Sequence, residues 1–220
     1  MERASLESLP THQETAKSPG ALDLAIKRAL DIAVATISLM ILLPFLPFVA
    51  LLIKADSAGP VFHRRRVLGV NQSQFDAFKF RTMRVDGDAL LADRPDLLEQ
   101  LERDGKLQAD PRVTRVGHWL RRLSIDELPQ LANVLRGEMS MVGPRMISPP
   151  ELTRFGPHAG ELLSVKPGIT GPWQIAGRAD LPYEDRIPLN LRYIRNRTIW
   201  LDIKILLLTL PAVLFGKGAY

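Results

Sequence analysis

Two adjacent carboxylates, Asp126 and Glu127, lie between arginines in the stretch RRLSIDELPQLANVLRGEMSMVGPR (121–145). A carboxylate can bind a metal ion or attack a phosphorus atom, and the guanidinium fork of arginine suits bidentate contact with phosphate. Arg121 precedes the pair, and the tight turn Gly143-Pro144-Arg145 would present a second guanidinium. The stretch therefore predicts a site that handles phosphate groups.

The carboxylate pair is expected at the start of a short helix. Apolar residues follow the i, i+3, i+4, i+7 pattern of a buried helix face at Leu128, Leu131, Ala132 and Leu135. Gly137 would end this helix. A cap at Asp126 is preferred to one at Ser124, because it places Pro129 in the first turn, where the missing N–H costs little. In either register the helix dipole and nearby arginines favour ionised carboxylates, although an Asp-Glu pair taken alone is more often explained by capping.

An uncharged run, IAVATISLMILLPFLPFVALLI (32–53), is long enough for a helix to cross a bilayer. Pro44 and Pro47 should interrupt or kink that helix. Lys27 and Lys54 belong to basic flanks on both sides, whereas a simple span normally has an excess of Lys and Arg on one side. These features leave two interpretations open, a kinked span and a re-entrant hairpin that returns to the same face.

Composition limits the class of protein. The net charge of +5 and a pI of about 9.7 indicate an anionic partner, which could be a membrane surface, a phosphorylated substrate or nucleic acid. No nucleic-acid-binding motif occurs, so nucleic acid is not expected as a partner. The absence of cysteine excludes disulfides and thiolate chemistry, and the four histidines are too scattered for a zinc site.

We expect a mostly α-helical chain with short β-strands, an α+β fold. Residues 1–20 are predicted to be a disordered tail, 21–58 a membrane helix, 59–198 a catalytic domain and 199–220 an amphipathic segment lying in the membrane interface. Phe75 to Phe80 alternates like a strand, and Asn71 is expected in the turn before it. Lys79, Arg81 and Arg195 belong to basic clusters that could bind phosphate or simply face anionic lipid.

Five motifs occur in order: KFRTM (79–83), LSIDELPQ (123–130), RGEMS (136–140), GPR (143–145) and PGITG (167–171). Together they resemble the bacterial sugar transferase family of monotopic phosphoglycosyl transferases. The resemblance runs from about Lys27 to Tyr220. It is strongest to the small enzymes that start exopolysaccharide synthesis as undecaprenyl-phosphate galactose or glucose phosphotransferases.

The resemblance implies a reaction and roles. Asp126 would attack the α-phosphorus of a UDP-sugar, release UMP and hold a covalent sugar-phosphate that polyprenyl phosphate then accepts. Glu127 would position Mg²⁺ (or Mn²⁺) or the acceptor phosphate, with Asp126 as a second metal ligand. The phosphates would be bound by basic residues, namely Lys79, Arg81, Arg121, Arg145 and Arg195.

The resemblance also favours the hairpin, with a re-entrant helix broken at Pro44 and Pro47 on the cytoplasmic side of the bacterial inner membrane. Membrane lipids would then be partners, and an oligomer is compatible with the sequence. Two departures stand out: Met146 replaces the second proline of a Gly-Pro-Arg-Pro turn, and Leu43-Pro44 replaces a Ser-Pro break. Alternatives are a direct, Mg-assisted displacement and a non-catalytic, membrane-tethered protein that binds anions.

Overall fold

The computed structural model describes residues 20–104, 107, 109–177 and 183–214. The described part is mostly helical with a few short strands, as predicted. The tail predicted for residues 1–20 lies outside the described residues except for Gly20, as do residues 215–220 of the C-terminal segment.

Ten α-helices and four strands can be followed in the described ranges, joined by short 3-10 helices. The α-helices are α1 Ala21–Leu42, α2 Leu46–Asp56, α3 Gly87–Ala92, α4 Pro95–Asp104, α5 Arg115–Arg122, α6 Leu131–Arg136, α7 Ala159–Leu162, α8 Pro172–Ile175, α9 Tyr183–Asn196 and α10 Ile199–Leu214. The strands are β1 Phe62–Leu68, β2 Gln74–Phe80, β3 Ser140–Val142 and β4 Gly168–Thr170.

The apolar N-terminal segment is helical throughout, but its α-helical geometry is interrupted where the prolines predicted it. A 3-10 turn at Leu43–Phe45 contains Pro44, and Pro47 occupies the first turn of α2. The segment Ala21–Asp56 has 36 residues, and its most apolar window has a mean hydropathy of 2.5 with only 6% of that window buried. By length and composition it is the one candidate membrane segment among the described residues.

The beginning of α1 is fixed to the rest of the protein by charged side chains. Lys27 Nζ lies 2.7 Å from Asp202 Oδ2 of α10, and both are shielded from solvent. Asp31 accepts hydrogen bonds of 3.0 Å from Ser140 Oγ and from the backbone N–H of Met141. Arg28 donates to the last carbonyls of α6, at 2.6 and 2.9 Å.

The end of α2 is fixed to a different part of the same core. Asp56 accepts a 2.8 Å hydrogen bond from the N–H of Val116, in the first turn of α5. Ile53 is buried against Phe80 and Leu120. Both ends of the apolar segment are therefore bonded to the folded body, and Leu39, Leu42 and Leu46 between them pack one side of the segment against its cores.

Strands β1 and β2 form an antiparallel hairpin that positions charged residues. The turn between them includes Asn71, whose φ of 52° is left-handed, so its predicted place in the turn is confirmed. In the register of the hairpin His63 pairs with Lys79 and Arg65 pairs with Ala77. Because side chains alternate between faces along a strand, His63, Arg65 and Lys79 share one face.

The GPR turn and the PGITG loop are joined by parallel pairing of β3 and β4. Their backbones are so close that a Cβ on Gly168 would lie 2.1 Å from Gly143 N, and one on Gly171 would lie 2.1 Å from Gly143 O. Met146, in place of a second proline, is buried in the main core. The turn that carries Arg145 is thus held by backbone pairing and by a buried side chain.

Candidate active site

The carboxylate pair lies on a six-residue 3-10 helix, Ile125–Gln130, that leads directly into α6. Its N-cap is Ser124, which has a left-handed backbone with φ of 54° and makes no side-chain cap hydrogen bond. The predicted cap at Asp126 is therefore wrong, because the turn is a 3-10 helix and not the first turn of an α-helix. The predicted end at Gly137 is confirmed by its left-handed φ of 83°.

Lys79 of β2 contacts both carboxylates. Its Nζ lies 2.6 Å from Glu127 Oε1 and 3.9 Å from Asp126 Oδ2. The side chain of Asp126 is only 12% exposed, and that of Glu127 is 25% exposed. The hairpin thus delivers a cation to a partly desolvated pair of carboxylates, where charge interactions are stronger than in water.

Burial raises the pKa of Asp126 to about 6, and the negative charge of Glu127 adds to this, while Lys79 and Arg121 act in the opposite direction. The prediction that the start of the helix favours ionisation is wrong for this residue, because the effect of burial on its pKa outweighs that of the nearby cations. A carboxylate with a pKa near 6 is still largely ionised at neutral pH. It is also more basic than an ordinary aspartate.

Arg121, the penultimate residue of α5, lies close enough to Asp126 to affect its pKa. Its Nε donates a 3.0 Å hydrogen bond to Thr82 Oγ1. Burial lowers the pKa of Arg121 from its ordinary value. Thr82 was not predicted as a site residue, although it belongs to the KFRTM motif.

Arg81 has the contacts of a helix-capping residue. It is 7% exposed, and its guanidinium donates to the carbonyls of Ala58 and of Ser57, the latter at 2.7 Å. These carbonyls lie just after the end of α2, where unpaired oxygens need donors. Its predicted phosphate contact stays a prediction, and the structure places its charge at the base of the apolar segment.

Arg145 stacks on Trp173. Its guanidinium carbon lies 4.6 Å from the ring centroid, and that of Arg186 lies 4.9 Å from the same ring. Trp173 is buried in α8, directly after the PGITG loop. The geometry therefore adds Trp173 and Arg186 to the surroundings of Arg145.

Arg65 connects the hairpin to the Arg145 turn. Its guanidinium lies 2.6 Å from Glu151. Burial alone would raise the pKa of Glu151, but Arg65, the hydrogen bonds from Ser148 and, to a smaller extent, Arg145 lower it below its usual value. On the same hairpin face, burial together with Lys79 and Arg65 lowers the pKa of His63. Neither Arg65 nor His63 was singled out from the sequence, because the strand register that places them beside Lys79 was not predicted.

Arg195 makes a surface ion pair. It lies in the last turn of α9 and forms two hydrogen bonds with Glu161, at 2.7 and 2.8 Å. Its side chain is 55% exposed. Neither hydrogen bond connects Arg195 with Asp126 or Glu127. The predicted phosphate binding by Arg195 stays a prediction.

Gln130, the last residue of the 3-10 helix, was also missed. It is 1% exposed, and neither polar atom of its amide has a hydrogen-bond partner. Side chains three residues apart eclipse each other in a 3-10 helix, so Gln130 lies on the same side as Glu127. A buried amide without partners is costly, which suits a position that meets polar groups of a ligand or a water.

Asp126 and Glu127 can supply only some of the ligands that a divalent cation needs. No group of three or more metal-binding side chains occurs among the residues that the structure describes. Mg²⁺ commonly binds one or two carboxylates together with substrate phosphates and waters. Asp126 and Glu127 fit an ion of that kind, provided that a phosphorylated substrate supplies further oxygens.

Comparison with known proteins identifies the class. The family model described as bacterial sugar transferase matches residues 22–216, which is most of the chain. The chain belongs to the bacterial sugar transferase family, and it is an enzyme of the phosphoglycosyl transferase type.

Individual relatives are similar over nearly the same stretch. The exopolysaccharide production protein ExoY of Rhizobium meliloti is 41% identical over 198 residues, with 88% of each chain covered. The undecaprenyl-phosphate glucose phosphotransferase of Komagataeibacter xylinus is 46% identical over 214 residues, covering 90% of this chain and 37% of the relative. The undecaprenyl-phosphate galactose phosphotransferase of Salmonella typhimurium is 40% identical over 199 residues, covering 89% and 42% respectively.

Proposed function

We propose that this enzyme transfers sugar-1-phosphate from a UDP-sugar to undecaprenyl phosphate, releasing UMP, as the first membrane step of exopolysaccharide synthesis. The observation that carries the proposal is the pair of buried Asp126 and partly buried Glu127, with Lys79 Nζ 2.6 Å from Glu127, in a chain similar to named glucose and galactose phosphotransferases. These names make a hexose, galactose or glucose, the favoured sugar.

In the first step Asp126 acts as the nucleophile. A carboxylate oxygen forms a bond to phosphorus, the bond from that phosphorus to the bridging oxygen breaks, and UMP leaves with the bridging oxygen. Because the sugar-phosphate stays behind, the attacked atom is the β-phosphorus, which carries the sugar. Attack at the α-phosphorus, which the resemblance implies, would leave UMP on the protein and release the sugar phosphate, so that part of the prediction is wrong.

In the second step an oxygen of the acceptor phosphate attacks the same phosphorus. The bond to Asp126 breaks, the carboxylate is restored and the sugar ends on a polyprenyl diphosphate. Division into two displacements lets one site serve first a soluble nucleotide-sugar and then a lipid. The raised pKa of Asp126 supports its role as nucleophile, since a more basic carboxylate is a stronger one.

Cations are needed because a carboxylate attacking a diphosphate meets like charge. Lys79 and Arg121 lie beside Asp126, and Arg145 is proposed to bind a further phosphate from its turn. A bound Mg²⁺, held by Asp126 and Glu127 with substrate oxygens, would neutralise developing charge on the leaving phosphate. Arg81 and Arg195 are not needed in this arrangement.

We further propose that the apolar segment enters and leaves the cytoplasmic side of the membrane as a re-entrant hairpin. Support comes from its two ends, since Lys27 at one end and Asp56 at the other are both bonded to the folded body. A straight span would have to place these ends on opposite faces. The exposed α10 residue Trp200 would lie at headgroup depth.

Topology is tested by labelling. Ala21→Cys and Ala58→Cys introduce single cysteines at exposed positions into a chain that has none. An impermeant thiol reagent added to intact cells should label neither, and both should react after lysis. Labelling of one and not the other in intact cells would disprove the hairpin.

The reaction is tested with purified full-length protein, undecaprenyl phosphate and a panel of UDP-sugars. UMP should appear with UDP-galactose or UDP-glucose, together with a lipid-linked sugar diphosphate. Release of UDP in place of UMP, or no release with any sugar, would overturn the proposal.

A further inference from the structure

A groove with a wholly apolar lining runs beside the carboxylate pair. It lies between the exposed side of α2 and helix α5, and its volume is about 430 Å³. That volume lies in the range of pockets that bind small organic ligands. Its lining includes Val49, Leu52, Trp119, Leu123, Ile125 and Leu128.

The groove and the carboxylates share one short element. Ile125 and Leu128 line the groove, while the two residues between them, Asp126 and Glu127, contact Lys79. A ligand with an anionic head and an apolar tail could therefore place its head at Lys79 while its tail lies in the groove. A nucleotide-sugar has no apolar tail, so no part of that substrate matches the groove.

The groove opens towards the apolar surface of the N-terminal segment. Phe45 and Phe48, on its rim, are 60% and 62% exposed, and Trp119 is 58% exposed. Large apolar side chains exposed together mark an interaction surface, and Trp is typical of a membrane interface. A lipid could thus enter the groove sideways from the bilayer without leaving an apolar environment.

We propose that this groove binds the isoprene units next to the phosphate of the polyprenyl acceptor and so directs the acceptor phosphate to the reaction site. The inference rests on the proposed function and adds a binding site to it. A groove of about 430 Å³ holds only the first part of a long polyprenyl chain, so the remainder stays in the bilayer. Leu123 and its neighbours in the lining then determine which lipid acceptor is bound, and they have no influence on which sugar is transferred.

The test compares a variant that fills the groove with a matched variant outside it. Leu123→Trp adds an indole to the lining, where the leucine is 38% exposed. Leu51→Trp makes the same change at a residue of α2 that is 68% exposed and does not line the groove. Both proteins are used full-length in nanodiscs, with KM measured separately for undecaprenyl phosphate and for the UDP-sugar that the wild-type protein uses.

Leu123→Trp should raise the KM for undecaprenyl phosphate by about tenfold or more, since each tenfold corresponds to about 1.4 kcal/mol of lost binding. Its KM for the UDP-sugar should stay within about twofold, which also shows that the protein is folded. Leu51→Trp should change neither constant. Val49→Phe, a smaller addition, should give an intermediate increase in the acceptor KM.

A photoreactive group on the first isoprene unit of the acceptor provides a direct readout. It should label peptides of α2 or α5 in the wild-type protein and much less in Leu123→Trp. Equal acceptor KM values for Leu123→Trp and Leu51→Trp, or labelling confined to other segments, would overturn the groove and leave the reaction intact. Absence of UMP release from the wild-type protein would instead overturn the proposed function.

Discussion

The two sides of the 3-10 helix Ile125–Gln130 differ in charge and in the surfaces that they contact. One side presents Asp126 and Glu127 to Lys79 of strand β2, and the other presents Ile125 and Leu128 to an apolar groove. The difference teaches that a single turn can keep a charged site and an apolar groove apart although their residues are neighbours in the chain. An enzyme that joins a soluble substrate to a lipid needs that separation.

The charged side should be the more sensitive of the two. Asp126→Asn keeps the shape of the side chain but removes the proposed nucleophile, so transfer should fall by about a thousandfold or more. The measurement is UMP release under steady-state conditions, with membrane association checked by sedimentation. Asp96→Asn, at an exposed carboxylate paired with Arg94, is the matched control and should keep full activity. Near-normal turnover of Asp126→Asn would remove Asp126 from the mechanism.

Lys79→Met should have the next largest effect. It removes the cation that lies 2.6 Å from Glu127 and 3.9 Å from Asp126. Loss of one such charge at a phosphate-handling site typically costs about a hundredfold in rate. Lys79→Arg keeps the charge and should recover part of the rate. If both variants lose activity equally, shape and not charge explains the role of Lys79.

The pH dependence follows from the raised pKa of Asp126. In the proposed reaction Asp126 must be ionised to attack, and burial raises its pKa to about 6. Activity should therefore fall as the pH decreases through about 6, approaching a tenfold loss per pH unit below that value. The profile of kcat/KM for the UDP-sugar reports this group in the free enzyme. A profile that stays flat down to pH 4.5 would show that Asp126 titrates as an ordinary aspartate.

Arg195→Ala should have the smallest effect. The exposed pair with Glu161 contributes little to stability because solvent screens it, and neither of its hydrogen bonds involves Asp126 or Glu127. Activity should stay within about twofold, and the melting temperature should change little. A loss of tenfold or more in kcat/KM would restore Arg195 to the phosphate-binding residues predicted from the sequence.

The sequence predicted well those features that depend on local pattern. The hairpin turn at Asn71, the interruption at Pro44 and the helix end at Gly137 all follow from backbone preferences of single residues. The motifs also identified the family, which the comparisons show. The roles of individual residues in the site remain predictions.

The sequence could not predict what depends on three-dimensional packing. The raised pKa of Asp126 arises from burial, which no local pattern reports, and so its ionisation was misjudged. Arg81 was grouped with Lys79 because the two are close in sequence, yet β2 ends at Phe80 and the two side chains have different partners, Glu127 for Lys79 and the carbonyl of Ser57 for Arg81. The apolar groove was invisible for the same reason, since α2 and α5 are far apart in the chain.

The most direct test of the covalent role of Asp126 is to trap the sugar-phosphate on the protein. Wild-type enzyme is incubated with UDP-sugar labelled in the sugar, without acceptor, then quenched in acid and digested. We predict about one label per active protein on the peptide that contains Asp126, an equal amount of UMP, loss of the label when undecaprenyl phosphate is added, and none in Asp126→Asn. Release of UMP only when the acceptor is present, with no labelled protein, would contradict this account and favour direct displacement.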